Sequence, residues 1–457
     1  MSRPLIAFIL LLCAVPTYAA ETIEIGARLE LLVDDFLIDE FDGDARLDLK
    51  LPKPQDVALV TDKPWEGNTC AYYTVFRDGD LLRMYYRGSH WDTEAKKAAH
   101  PEVTCYAESK DGIHWTKPEL GLFEFDGSKK NNIVWDGIGT HCFAVFKDKN
   151  EYAPADAKYK AIARGRPRGK KGLYIFKSPD GIHWKLMHDG PVITEGAFDS
   201  QNLAFWDSHE HIYREYHRTF VDGVRAIMTG TSRDFINWTK PVLLNYGDAP
   251  KQHLYTNAVQ TYDRAPHLLI GFPTRYLPNE GSRVEPTFMS SRDGRNFRRW
   301  LDPVVPESAP KDRGGNRSNY MAWGVVQLPE NDKELSVYAT ESYYTGPDSR
   351  IRRFAYRVDG FVSANATTGG TLLTKPLIFA GDKLKINYQV GQGGSVQVEL
   401  QTIDGKLLAK SEPVSGDSIE HVVVWKGDSS LKSIAGKPVR LRFVLKNADL
   451  YSMRFGS

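Results

Sequence analysis

Hydrophobic positions in this chain alternate with polar ones over short runs that end at Asp, Gly, Pro or Asn. No long stretch carries the period of an amphipathic helix. The pattern predicts strands in sets of three. Residues 69–77, 81–87 and 103–109 form the first set, and 141–146, 159–164 and 172–178 the second. Residues 202–206, 212–218 and 225–232 form the third, and 255–262, 268–275 and 285–291 the fourth. A fifth comprises 319–327, 335–341 and 350–358. Tyr, Phe, Trp and Gly are abundant, which favours strands and tight turns.

The sets are tied together by a repeated hairpin. It reads Ser109-Lys-Asp-Gly-Ile-His-Trp115, Ser178-Pro-Asp-Gly-Ile-His-Trp184, Ser232-Arg-Asp-Phe-Ile-Asn-Trp238 and Ser291-Arg-Asp-Gly-Arg-Asn-Phe297. The spacing of roughly 55–70 residues suits a repeat with long loops. Asp-Gly supplies the turn, so these aspartates are read as structural rather than catalytic. Each set is a meander that cannot bury both faces alone, and such units stack radially. The fifth set lacks the hairpin; residues 28–38, with Leu31, Val33, Phe36 and Ile38 to bury, are expected to supply its outer strand from the N-terminus. After Gly360 a turn-rich stretch leads into alternating runs at 372–377, 383–390, 395–403, 419–424 and 439–446. The expected fold class is all-β: a five-bladed β-propeller over residues 21–361, then a small C-terminal β-sandwich over 362–457. With no row of aromatic residues, that second unit is read as a brace for the first.

Composition changes the picture at three points. Arg3, the apolar run of residues 5–15, Pro16 and the small residues Thr17, Ala19 and Ala20 read as a signal peptide over residues 1–20, so a secreted or periplasmic location is expected. Cys70, Cys105 and Cys142 lie in apolar runs without the spacing of a zinc site, so they are read as buried and hydrophobic. The net charge of +1 argues against a protein that coats polyanions by bulk charge, so no nucleic-acid partner is expected, and no later stretch is long and apolar enough to span a membrane as a helix. No cofactor is called for, a structural calcium ion stays open, and the oligomeric state is not legible.

The Ser-x-Asp-Gly-x-x-Trp hairpins, strands such as Leu82-Arg-Met-Tyr-Tyr-Arg87 and the order of propeller then sandwich resemble the five-bladed glycoside hydrolases of the invertase, levanase and arabinanase superfamily, families 32 and 43. The resemblance covers nearly the whole mature chain and implies a glycoside hydrolase acting on an oligo- or polysaccharide. The family 32 motifs Asn-Asp-Pro-Asn, Arg-Asp-Pro and Glu-Cys are absent, so candidate residues follow from position.

In such propellers the innermost strand of each blade starts at the mouth of the axial funnel, and the second strand ends there. Glycoside cleavage uses two carboxyl groups, one as acid and one as base or nucleophile. Asp199, in Phe198-Asp-Ser-Gln-Asn202, is the first candidate, with Glu66 and Glu341 as partners and Glu195 and Glu285 as reserves. The second strands end on Arg87, Arg164, Arg218 and Arg275, and a guanidinium fork suits a carboxylate or sulfate. An anionic sugar is therefore the expected partner, with His141, Asn202, Tyr255 and Asn257 as further binding residues and His217 as a group that orients hydroxyls. The alternatives are a non-catalytic sugar-binding propeller and a sialidase- or lyase-like enzyme on acidic sugars.

Overall fold

The computed structural model describes residues 22–306, 319–428 and 431–457; the expected signal peptide lies outside them. The chain is all-β, and among the described residues helix occurs only as three-residue 3-10 turns. None is long and apolar enough to cross a membrane. Among the described residues, antiparallel sheets of three or four strands follow one another along the chain. The first orders Ala71–Asp78, Leu81–Gly88, Val103–Ser109 and Ile133–Trp135; the second, Ala144–Lys147, Tyr159–Gly165, Gly172–Ser178 and Lys185–Leu186. The third holds Leu203–Asp207, Ile212–Val221, Val224–Ser232 and Val242–Leu243. The fourth holds Gln260–Tyr262, Ala265–Gly271, Met289–Ser291 and Phe297–Arg299, beside the three strands His253–Leu254, Thr274–Leu277 and Arg283–Pro286.

The fifth sheet pairs Glu334–Glu341 with Arg350–Arg357, and its outer strand is Lys53–Val60. The expectation that residues 28–38 would fill that place is corrected. Ile23–Gly26, Glu30–Leu31, Ile38–Gly43 and Arg46–Leu49 all pair with strands after residue 361. The physical reason is burial: Leu37 and Ile38 pack into a separate apolar cluster with Leu372, Phe379 and Leu445. The N-terminal segment thus joins the C-terminal sheet before the chain enters the meanders. That sheet is built on two long strands, Lys383–Gln401 and Arg440–Gly456, paired throughout with bulges near Tyr388 and Ser395.

The four hairpins share one hydrogen-bond scheme. In the second, Ser178 Oγ accepts from the amides of Asp180 and Gly181, while Asp180 Oδ1 accepts from the amides of Ile182 and His183 at 2.8 Å. Trp184 Nε1 then donates to the Gly181 carbonyl at 3.0 Å. A second donor reaches the same carbonyl from the preceding sheet, Tyr85 Oη at 2.9 Å. Tyr216 does the same for Gly294 at 2.9 Å, and Tyr338 of the fifth sheet does it for Gly112 of the first at 2.6 Å. In the third hairpin Phe235 replaces glycine at φ 67° and packs its ring against Phe146 of the second sheet. Where the fourth sheet meets the fifth, Phe272 and Phe288 pack with Tyr356 and Phe361.

Ion clusters fasten the N- and C-terminal strands to the meanders. Arg292 reaches Glu30 and Asp34, while Asp359 takes Tyr262, Arg264 and Ser452.

Gly181 needs its glycine twice over, since φ is +82° and a Cβ would meet Tyr85 Oη at 2.7 Å. Gly127, at φ +79°, has open space around its Cβ position. Gly181→Ala is expected to destabilise the protein by about 1–3 kcal/mol in chemical denaturation, clearly more than Gly127→Ala. Equal losses would mean that the contact with Tyr85 contributes nothing.

Candidate functional site

A cavity of about 660 Å³ opens where the first strands of the second and third sheets begin. Its walls include Glu102, His141, Arg164, Arg166, Lys171, Asp199 and Arg218. The turn Thr140–Cys142 presents His141, and it can form because Gly139 adopts φ +96° with a Cβ position only 2.7 Å from Ala163. Asp199 sits on a turn fixed from below. Asn202 Nδ2 donates to the carbonyls of Phe198 at 3.0 Å and Ser200 at 2.9 Å, and the Ala197 amide donates to the Arg218 carbonyl at 2.7 Å.

His141 bridges two carboxylates. Its Nε2 lies 2.9 Å from Asp199 Oδ1 and its Nδ1 2.9 Å from Glu102 Oε1. Arg164 Nη1 donates to the same Asp199 oxygen at 2.8 Å, yet that side chain is 56% exposed to the cavity. Its Oδ2 has no partner among the described residues. The bond from His141, with the charges of His141, Arg164 and Arg218, outweighs burial and holds Asp199 well below the usual carboxylate range. Glu102 is lowered as well: burial pushes it up, but His141, Arg87 and Arg164 prevail. Both carboxylates are therefore ionised at neutral pH and act as acceptors.

Behind His141, Arg87 is buried, donating to the Thr69 carbonyl at 2.7 Å and to Tyr343 Oη at 2.8 Å. Its guanidinium lies 4.9 Å from the centre of the Tyr72 ring. Tyr72 takes φ 58°, a left-handed conformation that costs a bulky residue on the order of 1–3 kcal/mol. Gln201 holds it there by donating to the Tyr72 and Tyr73 carbonyls at 3.2 and 3.1 Å.

The structure thus gathers Asp199, His141, Arg164 and Arg218 around one cavity, with Arg87 and Tyr255 against it. It places the other candidates elsewhere. Glu66 is buried in the first sheet, where Oε1 accepts from Tyr86 at 2.5 Å and Oε2 from Lys117 at 2.6 Å. Glu341 is buried between Arg350 at 2.6 Å and Arg352 at 2.7 Å. Counting from the stapling tyrosines explains its displacement: Arg87 and Arg218 stand two places after Tyr85 and Tyr216, whereas Glu341 stands three after Tyr338 and projects from the opposite face. Arg275 pairs with Glu285 at 3.0 Å, outside the cavity. Asn202 and Asn257 are buried and bond to backbone, so they shape turns instead of meeting a ligand. His217 is buried against Glu215 at 2.7 Å, and Glu195 is exposed off the cavity.

Glu102, Arg166 and Lys171 escaped the sequence reading. Glu102 and Lys171 directly precede third strands, Val103–Ser109 and Gly172–Ser178, which start at the mouth where second strands end. Extending the positional rule to third strands finds both. Among the described residues no cluster of three or more His, Cys, Asp or Glu could hold a metal ion. Cys70, Cys105 and Cys142 are buried free thiols.

No family model matches the chain. An uncharacterized protein of Mycobacterium tuberculosis is 27% identical over 151 residues, which is 33% of this chain and 44% of that protein. The match therefore spans less than half the length of that curated relative. Solved structures similar to this one include a thermostable family-43 glycoside hydrolase, with a TM-score of 0.47 and 14% identity over 69% of this chain and 96% of that one. A family-32 β-fructofuranosidase of Bombyx mori matches with a TM-score of 0.43 and 10% identity over 90% and 94% of the two chains. A β-1,2-mannobiose phosphorylase of Listeria innocua matches with a TM-score of 0.46 and 12% identity over 68% and 97%. Families 43 and 32 are those the hairpins and domain order resemble.

The bond from His141 is the largest influence on Asp199. Carbon-detected NMR titration should therefore find Asp199 ionising below the ordinary aspartate value of about 3.9, with His141→Ala moving it upward. A midpoint unchanged by that substitution would show that the pairing is absent in solution.

Proposed function

We propose that the protein is a secreted glycoside hydrolase that cleaves an anionic oligo- or polysaccharide at the mouth shared by Glu102, His141 and Asp199. In this reading the five meander sheets are the blades of a propeller, and the C-terminal strands form a sandwich that braces it. The observation that carries the proposal is Asp199: an ionised, half-exposed carboxylate with one oxygen anchored by His141 and Arg164 and the other free among the described residues.

The second carboxyl group is Glu102 rather than Glu66 or Glu341. His141 stands between the two carboxylates, 2.9 Å from an oxygen of each. Neither carboxylate has the raised pKa of a general acid. His141, within hydrogen-bond distance of both, is the group placed to hand a proton to the leaving oxygen. Hydrolysis then balances: water gives its proton to Asp199 Oδ2 and its hydroxyl to the anomeric carbon, while the departing oxygen takes a proton from His141. Glu102 keeps the ring oriented.

Arg164, Arg166, Lys171 and Arg218 line the cavity against two carboxylates, and this excess of positive charge favours a sugar bearing carboxylate or sulfate.

Turnover of neutral, sulfated and uronate-bearing oligosaccharides separates the candidates. Asp199→Asn is expected to lower kcat by about 10²–10⁴-fold, whereas Glu66→Gln lowers stability and leaves kcat largely intact. The reverse pattern would move the chemistry to the first sheet.

A further inference from the structure

Arg218 forms part of the cavity wall and also belongs to a row of aromatic faces that leads away from it. Its guanidinium carbon lies 4.9 Å from the centre of the Tyr255 ring and 5.4 Å from that of Phe220. Arg225, on the paired strand of the same hairpin and directly opposite Phe220, lies 5.1 Å from Tyr255, 5.4 Å from Phe220 and 4.5 Å from Tyr276. Two guanidinium groups thus share one tyrosine between them, with Phe220 and Tyr276 completing the platform. Phe220 is 46% exposed, so the surface faces solvent.

The charge on this platform is not balanced from within. Neither Arg218 nor Arg225 has a carboxylate at ion-pair distance among the described residues. Arg218 Nε donates to the Ala197 carbonyl at 3.0 Å, and Arg225 Nη1 lies 3.4 Å from His253 Nδ1. Burial, then the charge of Arg225, push the His253 pKa down, so that ring stays neutral at pH 7 and adds no competing cation. Arg225 Nε is buried with no partner. The neighbouring arginines differ: Arg275 and Arg283 both reach Glu285, at 3.0 and 3.2 Å.

A guanidinium stacked on a ring keeps its N–H edge free, and that edge matches the fork of a carboxylate or sulfate ester. The aromatic faces can meanwhile carry the apolar face of a pyranose ring. We propose that Arg218, Tyr255 and Arg225 form a second sugar subsite, which holds the anionic group of the unit next to the one at Asp199. The proposal rests on the saccharide reading above and makes the enzyme select for at least two charged units.

Calorimetric titration with galacturonic acid and digalacturonate, and with matched sulfated and neutral galactose mono- and disaccharides, tests it. The wild-type protein is expected to bind one anionic disaccharide about tenfold or more tightly than its monosaccharide, as charged hydrogen bonds allow; the series that binds identifies the anion as carboxylate or sulfate. Arg225→Gln should erase that gain, and Arg225→Lys should keep part of it through charge alone. Unchanged circular dichroism and melting curves establish that both variants fold, and Tyr276→Phe, which retains the ring, should keep the gain. A full gain in folded Arg225→Gln would overturn the subsite and leave the reading of the cavity standing. A wild-type protein that binds neutral and anionic disaccharides equally would overturn both.

Discussion

A Ser-x-Asp-Gly turn satisfies its own amides through Ser Oγ and Asp Oδ1, and in three of four cases it then accepts a tyrosine hydroxyl from the preceding sheet. That one carbonyl sets the spacing of the assembly. The sheets are small, and a meander with two apolar faces is stable only when neighbours cover both. The staple from Tyr338 to Gly112 brings the fifth sheet against the first. In the third sheet a packed Phe235 ring replaces the hydroxyl, which shows that the position requires an inter-sheet contact more than a particular bond.

Once the sheets are held in that order, their strand ends meet and the charges follow. Arg87 and Arg218 stand two residues beyond Tyr85 and Tyr216, so the tyrosine that ties a sheet to its neighbour also aims an arginine at the opening. The turn bearing Asp199 comes from the third sheet, His141 from the second and Glu102 from the first. No single sheet could assemble the trio. The tension in Tyr72 belongs to the same arrangement, with its ring held by Arg87 and its carbonyl by Gln201.

Much of this was legible in the sequence, for a physical reason. Strand alternation and the Asp-Gly hairpins are local signals, and they located the meanders and identified the hairpin aspartates as turn formers. Asp199 and His141 come together because innermost strands begin near one another. Register was not local. Glu341 differs from a cavity-facing position by one residue, and only the pairing of Tyr338 with Gly112 reveals the slip. Glu66 lies near the start of the first strand, as expected, but turns inward to Tyr86 and Lys117, partners supplied by residues distant along the chain. The N-terminal segment had enough hydrophobicity for either of two sheets, and only the long C-terminal strands decided between them.

Sugar chemistry is proposed where Asp199 meets His141. A second opening, of about 350 Å³ and lined by Phe76, Phe146, Trp206 and Trp323, offers a different place for a sugar to stack. A crystal structure of Asp199→Asn with a bound anionic oligosaccharide decides between them. Density is expected in the Glu102–His141 cavity, with an anomeric carbon within about 3.5 Å of the side chain at position 199. A sugar stacked on Trp206 and Trp323, with the Glu102–His141 cavity holding only solvent, would contradict it.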